Sequence, residues 1–418
     1  VVGGGWAGLA AAVRATQAGQ SVTLFEMAGQ FGGRARGVAV DGLALDNGQH
    51  ILIGAYGRTL DLMRSVGADP QTLLSRQALS LVYPDGQGLR VPPGPAWLGF
   101  VRAVGACLAW SPAERLALLR TCLRWALAGF RCAPGLTVAA LCAGLPDSVR
   151  LGLIQPLCVA ALNTPAADAS AAVWLRVLKD ALFSGQGSAD LLLPRRPLSD
   201  LLPLPAARWL GQAGAQLRLS HQVRQLEPDA AAWRVDGEAF DGVVLACTAG
   251  ESARLVDQLA PGWAARAQAL RYEPIVTVYL RCPGACLPSA MTALHEGPEA
   301  PAQFAFDHGQ MGGAAGLFAF VISGAAPWVQ RGLPAIGQAV LHQAQWAFPS
   351  GTWPTAPELL RVLAEKRATF RCTPGLDRPP ALIAPRLVAA GDYVEGPYPA
   401  TLEGAVRAGE QAARLCVA

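Results

Sequence analysis

Lysine is almost missing from this chain: it occurs twice in 418 residues, at Lys179 and Lys366, so nearly all of the 34 cations are arginine. Charged residues make up only 15%, below the roughly 25% usual for soluble domains, and the net charge is +4. No dense basic block alternates with aromatics, which excludes a nucleic-acid-binding protein of the usual kind. The ten cysteines include no CxxC pair and the five histidines are scattered. That pattern predicts no structural metal and, with no secretory leader opening the chain, a reduced, cytoplasmic setting. The longest uncharged runs, 308–330 and 332–357, are interrupted by Gly, Pro, Gln and His. Neither reads as a spanning helix, which leaves peripheral contact with the inner face of the cytoplasmic membrane as the remaining membrane mode. What the chain has in quantity is apolar material, 52%, with 46 Gly and 32 Pro. This is enough to build two cores, and two domains are expected at this length.

The chain opens with Val1-Val2-Gly3, which reads as the end of a β-strand whose first residues are missing. Gly3-Gly4-Gly5-Trp6-Ala7-Gly8 then fits G-x-G-x-x-G, followed by an Ala-rich helix and an apolar strand ending at Glu26. In such a β-α-β unit Gly3 makes the tight turn, Gly5 admits a pyrophosphate to the backbone, and Gly8 lets helix and strand pack closely. The helix N-terminus, with Trp6 and Ala7 in its first turn, faces the phosphates. Glu26 stands 18 residues after Gly8, where a carboxylate accepts from ribose hydroxyls and repels a 2'-phosphate. A dinucleotide other than NADP is therefore expected.

A second Gly-rich turn, Gly32-Gly33-Arg34, follows within a few residues. Together with Glu26 it resembles the FAD-binding oxidoreductases of the amine oxidase and phytoene desaturase type. The far end of the chain carries the other half of that likeness, in Gly391-Asp392-Tyr393 and Tyr398-Pro399-Ala400-Thr401-Leu402-Glu403-Gly404-Ala405. The resemblance implies an α/β fold: a Rossmann-like FAD-binding domain of the glutathione-reductase/amine-oxidase type with a discontinuous α+β substrate domain. It also implies FAD contacts from Gly33, Arg34 and, more weakly, Arg36, from the backbone near Val223 to the adenine, from Gly391 and Asp392 to the ribityl-phosphate region, and from Thr401 and Leu402 at a helix N-terminus facing the isoalloxazine. Within this group, Asp46-Asn47-Gly48-Gln49-His50, Gly54, Tyr56 and Leu162-Asn163-Thr164 make the chain similar to the squalene-associated FAD-dependent desaturases, or hydroxysqualene dehydroxylases, of bacterial hopanoid synthesis. His50 and Glu403 are the candidate catalytic residues that follow.

The domain plan expected is discontinuous: 1–57, 186–250 and 380–418 for FAD, with 58–185 and 251–379 for substrate. Residues 58–66, 97–182 and 196–214 read as helical, while 215–219, 222–227, 232–236, 243–246, 275–280 and 317–323 read as strands. The stretch 97–131 carries Trp97, Trp110 and Trp125 and five Arg against one acid, Glu114. On a helical wheel Leu116, Leu119, Leu123, Leu127 and Phe130 share one arc, edged by Arg120, Arg124 and Arg131. That arc suits either a helix lying in a bilayer interface or a helix packed on the substrate domain. Cys282, Cys286, His295 and His308 read as structural, and Tyr393 and Tyr398 as cavity or cofactor packing.

The family likeness implies reductive removal of the hydroxyl from hydroxysqualene, giving squalene, with an isoprenoid lipid as the small-molecule partner and an electron donor the residues do not name. Loss of water from an allylic alcohol leaves a delocalised cation that a hydride can quench, in a dry apolar cavity. Two other readings stay open on sequence: a carotenoid-type desaturase, and a non-catalytic prenyl-lipid-binding protein on the same scaffold.

Overall fold

Val2 sits at the centre of the nucleotide-binding sheet, bridged in parallel to both Phe25 and Leu245. In the computed structural model, which describes residues 1–40, 42–230 and 232–417, this bridge joins two parallel pairs. Thr23–Phe25 lies beside Gln216–Arg218 on one side, and Val243–Leu245 beside Leu387–Ala389 on the other. Leu382–Ala384 closes the edge antiparallel. Parallel strands are covered on both faces and so read as unbroken apolar runs; Leu24, Leu245, Leu387 and Val388 are all fully buried. The helix Trp6–Gln17 covers this sheet and packs on the C-terminal helix Leu402–Val417. A Cβ on Gly409 would stand 2.1 Å from the Ala7 carbonyl oxygen, so only glycine permits that approach.

A second, antiparallel sheet of five strands runs in the order Met291–Ala293, Phe304–Asp307, Leu317–Ile322, Tyr272–Arg281, Glu358–Phe370. One face packs on the helix Leu333–Ala347 through Val276, Val278, Phe318 and Phe320. The other faces the helices Ala96–Ala106, Pro112–Leu127, Gln155–Leu162 and Ala171–Phe183 through Tyr279, Phe304, Phe306 and Ala319. Local sequence sets these helices. Ser111 caps the helix Pro112–Leu127 in a reciprocal pair with Glu114, and Ser170 caps Ala171–Phe183. A π-turn, Arg150–Ile154, interrupts the helical stretch.

The expected helix 196–214 is two helices, Leu198–Leu201 and Pro203–Gln212, because Pro203 has no N–H to continue the first and suits the start of the second. The expected strand 222–227 pairs only from Leu226 onward. Before it, the Asp236 carboxylate takes the N–H groups of Arg224 and Gln225 at 2.9 and 2.8 Å, which removes them from any ladder. Packing also divides the chain elsewhere than at residues 57 and 250. The helix Gly57–Ser65 buries Leu60 and Met63 against Leu9 and Val13, and the helices Ala249–Val256 and Pro261–Gln268 bury Val256 and Trp263 against Val2 and Val243. All of these lie on the nucleotide side.

Candidate active site

Gly3 has φ +106°, and a Cβ there would meet the Ala246 oxygen at 2.6 Å; a Cβ on Gly8 would meet the Gly3 oxygen at 1.8 Å. Gly5 is the opposite case. Nothing but the Gly33 Cα, at 3.8 Å, lies near its missing Cβ, so the two Gly-rich turns leave an open cradle at the N-terminus of the helix Trp6–Gln17. Backbone N–H groups and the helix dipole there suit a pyrophosphate. Trp6 fixes the second turn, its Nε1–H donating to the Ala35 carbonyl at 2.9 Å, while Ala7 is buried under the C-terminal helix. Glu26 is buried and anchored, one carboxylate oxygen accepting from the Gly4 N–H at 2.7 Å and the other from the Ala28 N–H at 2.8 Å. Each oxygen keeps a lone pair for a ribose hydroxyl.

Arg34 reaches out of the second turn to Asp392 at 2.5 Å and to the carbonyls of Arg367 and Ala368 at 3.1 and 2.8 Å. The sequence-expected residues at both ends of the chain thereby meet. Gly391 precedes Asp392 with the Tyr393 ring against it, and the buried Tyr393 hydroxyl donates to Ser252 Oγ at 3.0 Å. Thr401 Oγ1 accepts from the Gly404 N–H at 2.9 Å and donates to the Tyr398 carbonyl at 3.0 Å, capping the C-terminal helix at its first residue, Leu402. Tyr398 itself lies between the guanidinium groups of Arg176 and Arg407. Val223 is buried, with its carbonyl taken by Arg254 at 2.9 Å, while its N–H has no partner among the described residues. The residues present therefore fit an FAD.

Glu403, expected to be reactive, is committed to hydrogen bonds within the protein. It is 0% exposed, and its carboxylate accepts from the Arg58 and Thr59 N–H groups, the Thr59 hydroxyl and Arg407 Nε, at 3.1, 2.9, 2.8 and 2.7 Å. This is a remote cap for the helix Gly57–Ser65, whose own N-cap, Tyr56, offers no side-chain bond. Asn163 and Thr164 are also struts. Asn163, with φ 45°, binds the Glu273 carbonyl, Thr369 Oγ1 and the Gly324 N–H, while Thr164 Oγ1 binds Leu162 and Cys372.

The loop at His50 is arranged differently. Asn47 is locked to Arg36 through its N–H and Oδ1. His50 Nδ1 lies 2.8 Å from the Gly48 carbonyl; a carbonyl oxygen only accepts, so Nδ1 carries the proton and Nε2 is bare in the neutral ring. Burial lowers the His50 pKa below the ordinary imidazole value, against the raising effect of the Gly48 bond and with help from Arg34. Gln49 Oε1 is buried without a partner. Two acceptors, one of them unmatched, thus stand on adjacent residues. Motif reading found Gln49 as a family residue, but its unpartnered oxygen is visible only in the packed structure. Asp46 binds the Leu198 N–H at 2.8 Å, and the Tyr279 hydroxyl donates to the Asp46 carbonyl at 2.9 Å, tying this loop to the substrate sheet. Burial first, then the nearby Asp200, push the Asp46 carboxyl up to about 7, although the Leu198 bond opposes them. Among the described residues no cluster of His, Cys, Asp and Glu could hold a metal ion.

The open cradle, the buried carboxylate and the joined ends of the chain define an FAD-dependent oxidoreductase. The sequence pattern of the family described as flavin containing amine oxidoreductase matches residues 6–417, and the chain belongs to that family. It is 27% identical to a hydroxysqualene dehydroxylase of Sinorhizobium fredii, covering 100% of this chain and 97% of that one. It is 28% identical to a hydroxysqualene dehydroxylase of Rhodopseudomonas palustris, covering 100% and 98%. Among solved structures it superposes on an oxidoreductase from Methanosarcina mazei with a TM-score of 0.75 at 14% identity over 98% of both chains. On cyclohexylamine oxidase from Brevibacterium oxydans the TM-score is 0.67 at 18% identity, over 99% of this chain and 97% of that one. These last two likenesses establish the fold.

Proposed function

We propose that the chain removes the hydroxyl of hydroxysqualene reductively, giving squalene and water. The observation that carries this is the similarity to three hydroxysqualene dehydroxylases over 100% of this chain and 97–98% of each of them. The same similarity disfavours a carotenoid-type desaturase and a non-catalytic lipid carrier. When bound, reduced FAD would supply the hydride that replaces the hydroxyl on the allylic carbon, and its second hydrogen, as a proton, would balance the departing hydroxyl as water.

The chain's own groups support handling of an alcohol. His50 Nε2 and Gln49 Oε1 are acceptors, and an alcohol O–H is a donor, so this loop can hold and orient the hydroxyl at the reacting end of the cavity. Tyr279, whose hydroxyl is bonded to the Asp46 carbonyl, leads from this loop into an apolar core with Phe304, Phe306 and Leu193, surroundings that disfavour water near a cationic transition state. A substrate of about 30 carbons gains most of its affinity from such burial, at roughly 25 cal/mol per Å2 of apolar surface. Thr401 shapes the start of the C-terminal helix, and Glu403, held by Arg407, shapes that of the helix Gly57–Ser65.

The reading extends to a peripheral site of action at an anionic bilayer. Leu116, Leu123 and Leu127 on the helix Pro112–Leu127, with Trp97, Val101 and Leu108 nearby in sequence, are exposed, Leu108 by 89% and Leu127 by 80%. Arg120, Arg124 and Arg131 are exposed as well. Among the described residues no helix is long and apolar enough to cross a membrane. The experiment for the reaction is anaerobic incubation of photoreduced protein with hydroxysqualene, following flavin reoxidation and squalene together. One squalene per reoxidised flavin is expected, and reoxidation without squalene would overturn the proposal.

A further inference from the structure

Along the strand Tyr272–Arg281, Ile275 and Tyr279 turn into the apolar cluster beneath the helices, while Val276 and Val278 face the helix Leu333–Ala347. Thr277 stands between Ile275 and Tyr279 on the same face, 1% exposed, with Val321 and Leu363 of that cluster as its cross-strand neighbours. Valine would suit this place equally well in shape, and a buried hydroxyl is a cost unless it is bonded. The Thr277 hydroxyl is bonded: its Oγ1 accepts from the Gln49 N–H at 3.3 Å. Two residues on, the Tyr279 hydroxyl accepts from the Asp46 N–H at 3.3 Å and donates to the Asp46 carbonyl at 2.9 Å. One face of one strand thus holds the loop of His50 at two points.

The Gln49 N–H and the Gly48 carbonyl belong to one peptide group, which is planar and sends the two in opposite directions. That carbonyl is the partner of His50 Nδ1, at 2.8 Å. A continuous chain of hydrogen bonds therefore runs from Thr277 Oγ1 through this peptide to the imidazole, each bond polarising the next. Among the described residues Thr277 is the only partner of the Gln49 N–H. A Cβ on Gly48 would lie 3.8 Å from His50 Cε1 and 3.9 Å from Thr277 Oγ1, so hydroxyl and ring flank the same bend. Which nitrogen of a histidine carries the proton is set by the hydrogen bond the other makes, and whatever orients this peptide keeps Nε2 bare. We propose that Thr277 is a positioning residue, which fixes the His50 tautomer by orienting the Gly48–Gln49 peptide. Only the use made of the bare Nε2 rests on the dehydroxylase reading. In that reading an alcohol O–H meets an acceptor in this tautomer and a competing donor in the other.

The test reads the imidazole 15N spectrum of FAD-loaded protein without substrate, the His50 signal among the five histidines being assigned by its loss in His50→Gln. Wild type at neutral pH should show a protonated Nδ1 and a bare Nε2. Thr277→Val keeps the shape and removes the acceptor, so the two tautomers should mix while FAD occupancy holds. Its kcat on hydroxysqualene should fall about five- to tenfold, the worth of one net hydrogen bond, with KM little changed. Thr277→Ser keeps the hydroxyl and should bring both the tautomer and kcat back towards wild type. A bare Nδ1 in wild type, a wild-type tautomer in Thr277→Val, mixing as full in Thr277→Ser as in Thr277→Val, or mixed tautomers with an unchanged kcat would each overturn the proposal. Because the spectra are taken without substrate, they decide the role of Thr277 even where no squalene forms, and a wild-type tautomer in Thr277→Val leaves the dehydroxylation reading standing.

Discussion

Arg34 and Asp392, 358 residues apart in the chain, meet at 2.5 Å across the cofactor cleft. Arg34 is further held by two carbonyls of the strand Glu358–Phe370, so this one side chain ties the second Gly-rich turn to the substrate sheet and to the closing segment. Arg34→Ala should weaken FAD by about 1.5 to 3 kcal/mol, the scale of a charge-assisted hydrogen bond. Asp392→Asn, which retains an oxygen acceptor, should lose less. FAD dissociation constants from flavin fluorescence decide the matter, and an Arg34→Ala protein that holds FAD like wild type refutes the assignment.

The same kind of measurement separates a cap from a catalyst at Glu403. Removing its carboxylate strands the N–H groups of Arg58 and of the buried Thr59 at the start of a helix. Glu403→Ala should therefore cost about 2 to 4 kcal/mol of stability, while turnover per FAD-loaded molecule stays within a few-fold of wild type. A stable variant with abolished turnover would restore Glu403 to the chemistry.

At His50 the proposal makes a pH statement. The bare Nε2 accepts from a hydroxyl only while the ring is neutral, and burial holds the pKa below the ordinary value. kcat/KM should hence be level through neutral pH and fall only as pH drops through that lowered pKa. His50→Ala should reduce turnover much more than FAD occupancy, as read from the flavin absorbance of the purified protein. Full turnover in that variant makes the ring a bystander.

Asp46 gives the opposite sign in stability. Its folded pKa, about 7, lies above the ordinary value near 4, so its contribution is fully present below pH 4 and is lost as pH rises through 7. Asp46→Asn keeps the oxygen that accepts from Leu198 and cannot ionise. Its advantage over wild type should grow from pH 5 to pH 8, towards a ceiling of about 4 kcal/mol. Urea unfolding midpoints at the two pH values measure it, and a variant less stable at pH 8 than at pH 5, relative to wild type, contradicts the sign.

How far the sequence discloses this molecule depends on whether the information is local. Gly3, Gly5, Gly8 and Glu26 speak for themselves because each answers a steric or hydrogen-bonding demand within one β-α-β unit. Glu358–Phe370 was not foreseen as a strand: Leu, Ala, Glu, Lys and Arg favour helix locally, and only pairing along Tyr272–Arg281 overrides them. The capping bonds of Glu403 are hidden for a related reason. Its place beside the cofactor motif is sequential, while its partners, Arg58 and Thr59, lie more than 340 positions away and come into reach only through packing. The unmatched oxygen of Gln49 has no sequence signature at all, since a missing partner is a property of the surroundings.

The helix Pro112–Leu127 carries the question of how a nearly water-insoluble substrate reaches the enzyme. Its inward face is Leu118, Thr121 and Trp125, so the helix does pack on the substrate side, yet Leu116, Leu123 and Leu127 of the sequence-expected arc face outward. The packed reading thus holds for the inward face, while the outward face is exposed, as contact with a bilayer would require. An arginine near an anionic surface contributes about 1 kcal/mol, so Arg120, Arg124 and Arg131 together supply a few kcal/mol beside any leucine insertion. Changing all three to Glu should release the protein from anionic liposomes and slow turnover of vesicle-borne substrate, with detergent-dispersed substrate turned over normally. Because these arginines are exposed, thermal stability should hardly move, whereas a helix whose arginines serve the fold would lose it. Wild-type protein that fails to co-sediment with anionic vesicles at low salt removes the membrane role and leaves the flavin chemistry untouched, since the two rest on different residues.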